Sequence, residues 1–134
     1  VKRALVLVLV LLTGACGVRP SGVILGGPAP SAPPAVAVYL VLGGRVTPVP
    51  RPDSASGLTS LAGGPTAAER EQGYTTEVPA GVVFEASGGI VAVSVDVTAL
   101  SATAVAQIVC TSSSGPVTLV GNGWSRGPLV CPLG

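Results

Sequence analysis

Residues 57–81, GLTSLAGGPTAAEREQGYTTEVPAG, constrain what this chain folds into more than any other stretch. Leu58, Leu61 and Ala62 recur at i, i+3 and i+4, one apolar face of a short helix. Gly63-Gly64-Pro65 breaks that helix. Thr66 and Glu69 then restart one, with the hydroxyl placed to cap the Glu69 amide while the carboxylate reaches back to the Thr66 amide. Gly73 closes the second helix.

On either side of this pair the pattern changes to strands. Residues 36–42, VAVYLVL, are β-branched and aromatic and end in Gly43-Gly44, which predicts a buried strand and a hairpin turn. The return strand, RVTPVPR over residues 45–51, is expected at a sheet edge, because each of its two prolines removes a ladder donor. A second hairpin follows: VVFEA over residues 82–86, the turn Ser87-Gly88-Gly89, and IVAVSVDV over residues 90–97. That last run alternates, so Val91, Val93, Val95 and Val97 are expected to face inward, with Ile90, Ala92, Ser94 and Asp96 outward. Asp96 is expected to cap the next turn. Residues 101–111 place Val105, Ile108 and Val109 on one helical face behind a capping serine. Gln107 either reaches across to the sheet or lies on the surface. Residues 117–120 read as a strand and Gly121-Asn122-Gly123 as a turn, after which the tail brings Cys131 back toward Cys110. Trp124 beside that turn is either a ligand-stacking aromatic or a ring covering a thin core. The expected class is α/β in the α+β sense: a small mixed sheet with two or three short helices packed on it.

The amino-terminal part has other work. Lys2-Arg3, an apolar run over residues 4–12 and Thr13-Gly14-Ala15-Cys16 make a signal peptide of residues 1–15 ending at a lipoprotein cleavage site. The run is about half of the roughly 20 residues a membrane-spanning helix needs. Cys16 is the expected lipidation site, and two or three acyl chains would hold the protein on a membrane stably where one gives only marginal binding. Residues 17–35 hold five prolines, four glycines and two serines and read as a tether. Fully extended, it reaches roughly 60 Å. Val in the initiator position and a chain rich in Ala, Gly, Pro and Val suggest a GTG start in a GC-rich bacterium such as an actinobacterium. Residues 36–134 are left for one domain.

Without residues 1–15, five arginines stand against six acidic residues, a formal charge of −1, so neither a basic patch for nucleic acid nor an acidic run for cations is expected. One Phe, two Tyr and one Trp imply a small aliphatic core. With Cys16 lipidated, Cys110 and Cys131 form an even pair in an oxidising compartment, which predicts a disulfide; two buried thiols are the alternative. The absence of histidine excludes an imidazole base, a Ser-His pairing and a His-based metal site. No phosphate-loop motif occurs, and Glu69, Glu71, Glu77, Glu85 and Asp96 are too scattered to suggest a glycosidase pair. No catalytic residue, metal site or cofactor is expected.

The order of Leu58, Leu61, Gly64, Pro65, Thr66, Glu69, Gly73, Pro79 and Gly81 resembles the GerMN domain, a module of bacterial lipoproteins and of sporulation and germination proteins. The resemblance extends to a Val-Tyr-rich opening strand, a return strand running into an arginine (Arg51), Val95-Asp96-Val97-Thr98 and Gln107-Ile108-Val109-Cys110-Thr111. It implies a non-catalytic module on the extracytoplasmic face of the cell membrane, lipid-anchored through Cys16, which binds an envelope protein or, alternatively, a cell-wall glycan such as peptidoglycan or a small ligand. Arg51 is expected either to partner a carboxylate such as Glu69 or Asp96 or to remain solvated. Trp124, Asn122 and Arg51 are the candidate binding residues.

Overall fold

A computed structural model describes residues 36–52, 54–112 and 115–133. The signal peptide, Cys16 and the tether lie outside the described residues. The elements run β1 (Val36–Leu42), β2 (Arg45–Arg51), α1 (Gly57–Ala62), α2 (Ala67–Glu71), β3 (Phe84–Ser87), β4 (Ile90–Val93), α3 (Ala102–Ser112), β5 (Val117–Gly121) and β6 (Trp124–Leu129). They form an α+β fold with two sheets, the hairpin β1-β2 and a four-stranded sheet in the order β3-β4-β5-β6, in which only β4 and β5 run parallel.

One apolar cluster joins both sheets. Val38 and Leu40 from β1, Leu58 and Leu61 from α1, Ile108 and Val109 from α3, and Val91, Val93, Val117 and Leu119 from the larger sheet pack together. Small aliphatic side chains make this possible by letting backbones approach closely. A Cβ on Gly57 would stand 2.9 Å from the Thr111 methyl and 3.3 Å from the Ala37 carbonyl, so glycine is what lets α1 start against both α3 and β1.

The paired helices form as their caps predict. Ser56 accepts from the Thr59 amide at the start of α1, and the Thr66–Glu69 capping box starts α2. Gly73, at φ 93°, follows the end of α2 in a conformation that disfavours other residues.

Three expectations need correction. Pro48 and Pro50 cost the β1-β2 ladder no donor. Pro48 lies opposite Tyr39, whose amide and carbonyl turn away from β2 to α3, so this is a non-hydrogen-bonded pair and the proline nitrogen points outward. Pro50 lies two residues on, in the same phase. Strand β4 ends at Val93 rather than Val97. Beyond it the chain leaves the ladder and crosses Gly121, where a Cβ would collide with the carbonyls of Val93 and Val95. Val91, Val93 and Val97 are buried all the same and Val95 half-buried, while Ile90 and Ser94 are exposed. The tail, expected only to carry Cys131, forms strand β6, with a register shift opposite Val117 to Leu119 that accommodates Gly127-Pro128. The Cys110–Cys131 disulfide is formed, with Cα atoms 4.7 Å apart.

Candidate functional site

The β5-β6 hairpin turns at Asn122 and Gly123, both with positive φ (51° and 78°), the requirement of a type I′ turn. Trp124 follows at once, paired with Gly121. Trp124 is 60% exposed, so its ring does not cover the core. The pairing explains this: Trp124 emerges on the side of the sheet where residues 93–97 already crowd over Gly121.

Asp96 belongs to the same corner. Its carboxylate Oδ1 accepts from the Thr98 amide at 2.8 Å and the Thr98 hydroxyl at 2.6 Å, closing a tight turn. The Thr98 hydroxyl first, then the Thr98 amide and the Asn122 side chain, hold its pKa below the ordinary carboxylate value. The corner therefore joins an exposed indole and an amide at the β5-β6 turn to the Asp96 carboxylate, which the Thr98 turn holds beside Asn122. Its sequence signal was the Asn122-Gly123 dipeptide; the approach of Asp96 depends on the path of residues 94–97 and had no local signature.

Arg51 lies at the end of β2, in the other sheet. Its Nε donates to Glu69 Oε1 at 2.9 Å and its Nη2 to Glu69 Oε2 at 2.6 Å, a bidentate pair, with a longer bond from Nη2 to the Gly64 carbonyl at 3.4 Å. Glu69 Oε2 also accepts from the Thr66 amide at 2.7 Å. One carboxylate thus caps α2 and ties it to β2. Glu69 is only 9% exposed, and the hydrogen bond from Arg51 is the main cause of its lowered pKa, against desolvation. The structure does not group Arg51 with Trp124 and Asn122: its donors serve the fold, with Glu69 rather than Asp96 as partner.

Gln107 is fully buried. Its Nε2 donates to the Tyr39 carbonyl at 2.9 Å and the Thr76 hydroxyl at 3.1 Å, and its Oε1 accepts from the Glu77 amide at 2.9 Å. This resolves its alternatives in favour of reaching across to the sheet. Among the described residues, no three His, Cys, Asp or Glu side chains gather where a metal ion would bind.

No family model, curated protein or solved structure matches the chain.

Proposed function

We propose that this chain is a non-catalytic binding module of the cell envelope, held on the extracytoplasmic face of the membrane by acylated Cys16 and engaging another envelope protein. The export segment and the resemblance to GerMN domains support the location. The observation that carries the binding role is the exposure of large apolar side chains while several charged groups are held in internal bonds. Glu69, Arg51 and Asp96 are engaged in internal bonds, and Arg70 and Arg126 bond backbone carbonyls of Pro65 and Leu100. Large apolar side chains, by contrast, stand in solvent: Val83 at 62%, Ile90 at 49% and Trp124 at 60% exposure. A surface of this kind suits association better than bond-making.

A second reading, a glycan-binding lipoprotein, is favoured by the Trp124, Asn122 and Asp96 corner, since a sugar ring stacks on an exposed indole while planar polar groups meet its hydroxyls. Affinity capture from envelope extracts with the full chain, run beside sedimentation with purified peptidoglycan, separates the two. A discrete protein partner without sedimentation supports the interaction module. Sedimentation without a partner, abolished by Trp124→Ala, supports the glycan reading and overturns the first.

A further inference from the structure

The two sheets have four edges, and they are not treated alike. At β1, Tyr39 donates its amide to Thr111 Oγ1 at 3.1 Å and accepts from Gln107, while Val41 exchanges two backbone bonds of 2.8 Å with Thr75. Pro48 and Pro50 remove two of the three outward donors of β2, leaving that of Val46. Strand β6 is interrupted by its register shift and by Pro128. Among the described residues, β3 shows no bonded outward group, no proline and no register shift.

The phase of β3 follows from its neighbour. Ser94 donates its amide to the Val83 carbonyl at 3.1 Å, and the Val83 amide bonds the Ser94 hydroxyl at 2.9 Å. Residues 83 and 94 thus face one another in bonding phase, and alternation places Glu85 and Ser87 in the ladder with β4. The amides and carbonyls of Phe84 and Ala86 point the other way, off the edge. Ala86 is exposed, and two grooves of about 220 Å³ and 230 Å³ lie on the faces of the β3-β4 hairpin, one lined by Ala86 with Val91, Ser112 and Val117 and one by Glu85 with Ala92 and Ser94.

We propose that β3 is a receptor strand: an extended segment of a protein partner adds to it antiparallel, with a lysine or arginine opposite Glu85 between two apolar residues. This rests on the interaction-module reading. Hydrogen bonding dictates the extended backbone, and Glu85 dictates the charge. Glu85 is exposed and forms no ion pair among the described residues; its neighbour across the ladder is Ala92. A second copy of this chain is disfavoured by the same residue. Self-pairing that bonds Phe84 and Ala86 of both strands puts Glu85 directly opposite Glu85, and like charges in that position repel. The flanking apolar residues would extend the half-buried Phe84 side of the sheet.

The test is a titration of the full chain, followed through its backbone amide resonances, with the blocked peptide Thr-Val-Lys-Val-Thr and its counterpart with Glu for Lys. The Lys peptide is expected to shift and protect the Phe84 and Ala86 amides. Ala86→Pro removes an outward donor without touching the ladder, as Pro48 and Pro50 do in β2, and is expected to weaken binding about tenfold. Glu85→Lys is expected to weaken the Lys peptide about two- to fivefold and to favour the Glu peptide. Absence of binding, shifts centred elsewhere, or indifference to both substitutions overturns the proposal. Capture from envelope extracts separates its failure from that of the underlying reading. A partner held equally by wild type and Ala86→Pro overturns the receptor strand alone, and no partner at all overturns the interaction module with it.

Discussion

At the scale of single residues, Glu69 does the most. Its lowered pKa means that the unfolded chain takes up the proton first as pH falls. The stabilisation from the Arg51 pair is therefore complete above the ordinary carboxylate value of 4.5 and is lost as pH falls through the lowered folded value. Denaturant melts from pH 7 to pH 2 are expected to show an acid limb that flattens in Glu69→Gln. At neutral pH, Arg51→Ala is expected to cost about 2–3 kcal/mol, since it strands a mostly buried carboxylate. Gln107→Ala leaves the Tyr39 carbonyl and the Glu77 amide without their side-chain partner, and urea unfolding is expected to show a loss of about 2–4 kcal/mol. The Thr66–Glu69 box was legible because both partners lie within one helical turn. Arg51 and Gln107 were legible only as alternatives, because their partners are fixed by how β2 and α3 pack and not by spacing along the chain.

At the scale of elements, the hairpin read from a β-branched run ending in Gly43-Gly44 appears where expected; β1 and β2 match their predicted residues end to end. The errors fall where tertiary contact overrides pattern. The run IVAVSVDV keeps its inward valine face beyond Val93 although the strand stops, because burial needs only side-chain direction and not a ladder partner. Strand β6 was hidden by Gly127-Pro128, which reads as a breaker, yet an edge strand needs no donor on its outer side. Gly127, at φ 142°, lies where a Cβ would come within 2.8 Å of the Val117 carbonyl, so the close pass of β6 over β5 depends on it. The disulfide fastens this last strand to α3 across a separation of 21 residues. Cys131→Ser, compared with wild type by denaturant midpoint under oxidising conditions, is expected to cost about 3 kcal/mol; equal midpoints would show that β6 holds without it.

At the scale of the whole molecule, Glu69, Arg51 and Asp96 are held in internal bonds while the outward backbone groups of β3 are left open among the described residues. The candidate site was half visible in advance: Trp124 and Asn122 could be picked out by residue type beside a turn. The openness of β3 could not be, since it emerges only by comparison with the three edges that Gln107, Thr75, the prolines and the register shift protect. The measurement that tests this account most directly is affinity capture from envelope extracts with wild type, Ala86→Pro and Trp124→Ala chains side by side. The account predicts a protein partner retained by wild type and Trp124→Ala and lost by Ala86→Pro. Retention by Ala86→Pro together with loss by Trp124→Ala would contradict it and move the binding surface to the β5-β6 turn.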